Sequence, residues 1–457
     1  MAISAARKIA YEILRCVEAE GAYASDLLHA ALAADVKAED ASLATELVLG
    51  VLRWRRLLDF VLERHLKKPV ARLDLPVALA LRLGLYQLRC LERIPARAAV
   101  NESVELVRRA RKASATALVN AILRRAAKEA KTPPAAFLPA QIARAERLGI
   151  LYSHPTWMVE RWLERFGEER TTALLVANNH APRLSCMVHD STRQKQIWAE
   201  LRDAGLRIEP GQILQSALAV SGGSPSRTQT FRRGGISIQD EASQIVPVLL
   251  NVQAGQRVLD LCAAPGGKTS ALVRAASLNG FVAAADVHWR RLRAMREHFK
   301  RLRLRDVRLV ELDGTAALPF GIEFDRILVD APCSGTGTLA RHPEIRWRLR
   351  AEQLSEFHSL QTRLLKSAIE RLGSGGRIVY STCSLEPEEN ELVVEEVLRR
   401  VSGVKRVGAR ELAGVLGDEL MPGVAVESLF DSEGQFHTLP GAQNTDGFFA
   451  AGIVRSA

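Results

Sequence analysis

The stretch LDLCAAPGGKTS, Leu259 to Ser270, carries an apolar run into a turn of small residues and then into a helix start. Gly267-Lys268-Thr269 looks like the end of a triphosphate-binding loop. That loop needs a glycine five positions before Gly267, where backbone amides cradle phosphate, and Cys262 stands there instead. The dinucleotide pattern GxGxxG is missing too. What remains is a strand ending in a small-residue turn, Ala263-Ala264-Pro265-Gly266-Gly267, where a ligand can come close to the backbone. Asp286 follows 19 residues beyond Gly267, at the end of the next apolar run, a place from which an acid accepts hydrogen bonds from ribose hydroxyls. A nucleoside cofactor without a pyrophosphate satisfies both observations. S-adenosylmethionine is the candidate, with Asp313 near its adenine and Asp330 near its methyl end. Taken singly, each aspartate reads as a helix cap or a turn former; at successive strand ends they read as one binding edge.

Outward from this stretch, the runs RVLDLCAA, FVAAADV, VRLVELD, DRILVDAP, GRIVYSTC and GFFAAGIV alternate with helical patterns across residues 236–457. Such alternation predicts an α/β domain, a mostly parallel sheet with helices on both faces and ligands outside the carboxyl ends of its strands. Two thiols fall on that edge: Cys333 in ILVDAPCSGTG and Cys383 in VYSTCSLEPEENE. Cysteine is most often a small buried hydrophobe, which suits Cys16, Cys90 and Cys186 in their apolar patterns but not these two in turn sequence. Beside a methyl donor, paired thiols have a use. Carbon 5 of a pyrimidine is not nucleophilic until a thiolate adds to carbon 6, and after methyl transfer a base must remove the proton of carbon 5. A thiol beside a cationic sulfonium and near Lys268 is placed to ionise. The residues alone do not say which thiol does which. Zinc is the competing use, but it wants four ligands and no nearby His or Cys has the spacing.

The 457 residues, 47% hydrophobic, are enough for two or three cores. Six cysteines without a CxxC pair give neither a disulfide framework nor a zinc ribbon, and suggest reduced thiols in a cytoplasmic protein. No apolar run reaches the length of a membrane span. A net charge of +11 raises the expectation of an anionic partner. Residues 1–135 hold 23 Lys+Arg against 15 Asp+Glu and read as an all-α bundle, with apolar residues three and four apart and prolines between the helices. Single pairs such as Arg55-Arg56, Arg108-Arg109 and Arg124-Arg125 read as solvated helix faces. Residues 145–235 read as a small α+β linker module, whose exit loop holds Arg227, Arg232 and Arg233 within reach of a phosphate.

Two resemblances follow. ARKIAYEILRCVEAEGAYASDLL, VLGVLRWRRLLD, LRLGLYQLRCLERIPARAAVNESVELVRRA and ALVNAILRR resemble the NusB-like RNA-binding fold, found alone and attached to RNA-modifying enzymes. DLCAAPGGKT, DAPCSGTGTLARHPEIRW, YSTCSLEPEENE and DGFF resemble the RNA cytosine-5 methyltransferases of the Sun/Nop2 group. Together they resemble the bacterial branch acting on small-subunit (16S) ribosomal RNA. The resemblance implies a Rossmann-like class I methyltransferase domain and S-adenosylmethionine held by Cys262, Ala263, Ala264, Pro265, Gly266, Gly267 and Lys268 with Asp286, Asp313 and Asp330. It assigns Cys383 as nucleophile and Cys333 to product release. A monomer with no metal is expected. Two other classes compete: a NusB-like binding protein with an inactive methyltransferase part, against which the intact acids, glycines and thiols stand, and methylation of an exocyclic amine, which needs Asn or Asp before Pro-Pro and an aromatic and no thiol.

Overall fold

The computed structural model describes residues 3–32, 36–276 and 279–456. They form two compact units, one of residues 1–181 with 339–349, the other of 182–338 with 350–457. The two units meet in sequence at 181/182 and at the 339–349 segment. The helices Arg144–Leu151 and Thr156–Ala177 belong with the bundle, the second burying Met158, Val159, Trp162, Leu174 and Leu175.

In the first unit, helices over Ala5–Glu20, Ala24–Leu32, Ala38–Glu63, Leu75–Cys90, Ala96–Arg109 and Thr116–Lys128 surround a core of Leu14, Leu47, Leu52, Leu79 and Leu123. Leu75–Cys90 is apolar nearly all round and is the central helix, with every residue from Val77 to Gln87 buried. Its Arg82 is neutralised by both Asp59 oxygens, at 2.7 and 2.8 Å.

The second unit holds two sheets. The strands β1 (Leu184–Val188), β2 (Arg207–Pro210), β3 (Ala217–Ser221) and β4 (Ile236–Ile238) pair antiparallel in the order β2-β3-β1-β4. The large sheet is built from β5 (Arg257–Asp260), β6 (Phe281–Asp286), β7 (Val307–Glu311), β8 (Phe324–Asp330), β9 (Leu372–Thr382), β10 (Val404–Arg406), β11 (Phe436–Thr438) and β12 (Phe448–Arg455). Its order is β10-β12-β9-β8-β5-β6-β7, with β11 beside β12. The pairs among β5 to β9 are parallel and those of β12 antiparallel. The chain runs outward from β5 through β6 and β7, then returns to β5's other side as β8. This reversal opens a crevice at the carboxyl ends of β5 and β8, where doubly wound sheets bind ligands.

The stretch VLGDELMPGVAVESLFDSEGQFH, unreadable from its pattern, supplies Leu416, Leu420, Leu429 and Phe436 to the core beneath this sheet. Among the described residues no helix is long and apolar enough to cross a membrane.

Candidate active site

The β5 turn is built around its smallest residues. Ala263 N–H donates to Ala285 O at 2.8 Å, Gly266 N–H returns to Ala263 O at 2.8 Å, and Gly266 sits at φ +100°, left-handed backbone that any side chain would strain. A Cβ on Gly266 would also lie 3.1 Å from the Phe299 ring. The helix Gly267–Ala275 starts directly afterwards.

The turn walls a cavity of about 140 Å³, lined also by Gln239, Ser243, Asp260, Lys268 and Asp330. Thr269 O–H holds one oxygen of Asp260 at 2.7 Å. The other oxygen, like Oε1 of Gln239, has no partner within the protein. Burial pushes Asp260 up to about 7, with Asp330 adding to the shift and the Thr269 bond opposing it. Lys268 Nζ is 2.7 Å from Asp330 and 5.0 Å from the centre of the Phe448 ring. It is thus committed to the acid, and the expectation that it lowers a thiol's pKa has no ion pair behind it. Asp286 is buried and accepts His288 N–H at 2.9 Å and Ala264 N–H at 3.3 Å, tying the ends of β5 and β6 together. Asp313 lies apart from the cavity lining, exposed, and caps Thr315 through its amide at 2.9 Å and hydroxyl at 2.7 Å. These bonds hold its carboxyl below the usual range.

The two turn thiols meet. Cys333 and Cys383 Sγ atoms are 3.3 Å apart, at the ends of β8 and β9, whose last paired residues are Asp330 and Ser381. Cys333 is pushed well up by its hydrogen bond with Cys383, then by burial and by the Glu389 charge, so it keeps its proton; either sulfur can be the donor in the contact between them. Cys262, in the cavity wall, is pushed up by burial and the surrounding aspartates and stays a neutral thiol. Close approach of the thiol turns depends on glycine: a Cβ on Gly337 would lie 2.1 Å from Gly447 O and 2.9 Å from Cys383 O. Gly337 N–H instead donates to Cys383 O at 2.9 Å, and Gly447 N–H to Gly337 O at 2.8 Å. This is why DGFF, far along the chain, belongs to the thiol site.

Sequence reasoning missed the carboxylate behind the thiols. Glu389, fully buried, accepts from Ser334 N–H at 2.7 Å, Ser334 O–H, Ser384 O–H at 2.6 Å and Gln361 Nε2 at 3.1 Å. Gln361 also donates to Pro332 O at 2.9 Å. One acid therefore fastens the residue that follows each thiol. The repeated Cys-Ser pair was the available signal; the partner, 55 residues beyond Ser334, carried none.

A family profile described as 16S rRNA methyltransferase RsmB/F matches residues 247–454, a NusB family profile matches 4–128, and a profile for the ferredoxin-like domain of RsmF/B-like methyltransferases matches 154–226. Ribosomal RNA small subunit methyltransferase B of Citrobacter koseri is 32% identical over 453 residues, 98% of each chain. The chain belongs to the RsmB/F family of 16S rRNA methyltransferases. The enzyme of the same name from Pseudomonas putida is 35% identical over 384 residues, covering 83% of this chain and 86% of that one. The crystal structure of PH0851 shares the fold, with a TM-score of 0.81 and 24% identity over 99% of each chain. That of NSun6 from Pyrococcus horikoshii, solved with SFG, does so at a TM-score of 0.56 and 20% identity, over 65% of this chain and 97% of that one.

The RsmB/F family is class I and uses S-adenosylmethionine, and the residues present fit it. The cavity offers two unpartnered acceptors, Asp260 Oδ1 and Gln239 Oε1, to the hydroxyl and ammonium donors of a nucleoside amino acid, with a side-chain-free turn between them. Among the described residues no cluster of three or more His, Cys, Asp or Glu groups could hold a metal.

Proposed function

We propose that this chain methylates carbon 5 of a cytosine in 16S rRNA through a covalent adduct at carbon 6, acting as a monomer in the cytoplasm. The pair of thiols 3.3 Å apart carries the reading, since methylation of an exocyclic amine or an oxygen needs neither. In it the cofactor is held by Cys262 to Lys268 with Asp286 and Asp330, Asp313 standing further out; it supplies an activated methyl group. The Cys383 sulfur adds to carbon 6, and the electron pair of the 5,6 double bond moves onto carbon 5, which becomes the nucleophile. Cys333 gives its own proton to solvent and, as a strong base, takes the proton of carbon 5. The electron pair then restores the double bond, and the S–C6 bond breaks. One proton is released overall. Cys383 as nucleophile and Cys333 as release thiol follow the Sun/Nop2 resemblance. The raised Cys333, beside Cys383 and the Glu389 charge, suits the thiol that holds a proton rather than the one that attacks.

The test is a denaturing gel with radiolabelled rRNA. Cys333→Ala is expected to give an RNA-dependent band of reduced mobility, and Cys383→Ala and the double variant none. A band that appears only when Cys383 is lost reverses the assignment. Mapping 5-methylcytosine in rRNA from cells with and without the protein checks the base: if no cytosine loses its methyl group, the proposed reaction is wrong.

A further inference from the structure

Residues 288–308 carry nine Lys+Arg against two Asp+Glu, a balance of +7 within 21 residues of a chain whose total is +11. The helix Trp289–Arg301 buries Leu292, Met295 and Phe299, three and four apart, against the cofactor turn. Trp289, Arg293, Arg296 and Lys300 recur at the same spacing and form a second, exposed stripe. Arg303, Arg305 and Arg308 extend it past the helix end, and Arg296, Lys300, Arg305 and Arg308 line a concavity of about 440 Å³.

Solvated helix faces intersperse acids with bases, because like charges three and four apart repel. Among the described residues Lys300 is paired with an acid, Glu297 at 2.7 Å, and Asp306 is the carboxylate that lines the concavity beside the arginines. Among the described residues none of Arg290, Arg291, Arg293, Arg303, Arg305 and Arg308 pairs with a carboxylate. The stripe also holds an aromatic: Trp289 is 42% exposed, with the Arg296 guanidinium 5.9 Å from its ring centre. Unpaired cations flanking an exposed ring are what single-stranded nucleic acid uses, phosphates on the cations and a base on the ring.

We propose that this ridge is an RNA-docking surface of the methyltransferase unit, gripping single-stranded phosphates along Arg293, Arg296, Arg305 and Arg308 and stacking an unpaired base on Trp289. It begins three residues after Asp286, so RNA held there is led to the cofactor rim. The proposal rests on the RNA-substrate part of the reading above and not on the choice of base or thiol.

The experiment is RNA binding by fluorescence anisotropy from low to high salt, with a 16S rRNA transcript and an unrelated single-stranded RNA as probes. Each phosphate contact contributes about −0.7 to the salt slope. Changing Arg293, Arg296, Arg305 and Arg308 to Gln together is expected to flatten the slope by about 2 to 3 for both probes. Affinity for S-adenosylmethionine should hold. A charge-matched control, with Arg399, Arg400, Lys405 and Arg410 changed to Gln, allows for net charge. Trp289→Ala should weaken binding about fivefold or more with the slope unchanged, since stacking releases no ions. A ridge variant that loses no more slope than the control overturns the proposal. If the ridge variant loses binding while the wild-type protein leaves no 5-methylcytosine in 16S rRNA, the surface stands and the reaction falls; the opposite pair of results removes the surface and leaves the reaction.

Discussion

Glu389 sits where a neutral side chain of the same shape cannot do its work. Four donors converge on its two oxygens, and an amide at that place offers one acceptor and brings two donors of its own. Hydrogen bonds to a charged group are worth roughly 1.5 to 3 kcal/mol. Glu389→Gln is therefore expected to loosen both thiol turns and lower kcat by about tenfold or more, with KM for RNA little changed. A merely structural acid would stop there. This one also raises Cys333 through its charge, so the limb of the pH–rate profile belonging to Cys333 should move to lower pH in the variant; a profile of unchanged shape counts against this positioning role. Asp260 gives a separate test. In the unfolded chain its proton leaves in the ordinary carboxylate range near 4, whereas the fold retains it up to about 7. Stability from this group is thus complete below that range and is lost as the pH rises towards 7. Denaturant unfolding of the cofactor-free protein, compared with Asp260→Asn, should show the wild type losing ground across that window, and a pH-independent difference would refute the shift.

At the scale of elements, Gly337 and Gly414 make a pair of opposite sign. Gly337 lets the turn after β8 touch the turn before β12, and a methyl group there meets backbone on two sides. Gly337→Ala is expected to cost about 1 to 3 kcal/mol, as overpacking does, and to lower kcat by parting the thiols. Gly414 lies in the helix Ala409–Leu416 with open space at its Cβ, so Gly414→Ala should add up to about 1 kcal/mol. Equilibrium unfolding reads both; equal effects would mean that the contact at Gly337 is not what holds the turns. The contrast also shows what was legible in the sequence. β5, β6, β8 and β9 were readable because buried parallel strands are unbroken apolar runs with a chemical residue at each end. The β5 turn was readable because close backbone approach demands small residues in sequence. β10 and β11, three residues each, have too few positions for a period. Gly447 against Gly337 and Glu389 behind the cysteines were hidden, since a contact across 55 or more residues leaves no local pattern. The charge of the first 135 residues was visible as a total, whereas the ridge at 288–308 needed its helix face to be seen.

At the scale of the whole molecule, the chain leaves the second unit six residues after Cys333, runs through the first unit from Leu339 to Leu349, and returns. Arg346 anchors that passage. It is 1% exposed and donates to the carbonyls of Arg53, Ser153 and Asn178 and to the Asn179 side chain, at 3.2, 3.1, 2.9 and 2.8 Å. Arg348 adds the carbonyls of Val17, Gly21 and Ala22. Carbonyl dipoles thus surround a buried cation, and burial lowers its pKa to about 9. The flat guanidinium reaches these acceptors from one plane, which the three donors of a lysine ammonium cannot do. This changes how a truncation must be read: deleting residues 1–135 removes 23 Lys+Arg and also strips Arg346 and Arg348 of partners, so lost activity in such a fragment would not separate RNA binding from folding. A single substitution does separate them. Arg346→Lys keeps the charge and every RNA-facing cation, and should cost about 2 to 4 kcal/mol by leaving buried carbonyls unpaired. Because the anchored passage begins just beyond the Cys333 turn, methyl transfer should fall with stability, while affinity for S-adenosylmethionine, in the reading proposed above a matter of the β5 turn and Asp286, and the salt slope of RNA binding stay as they were. A variant that is destabilised yet transfers methyl groups at the wild-type rate would mean that the passage through the helical unit supports the fold alone and leaves Cys333 untouched.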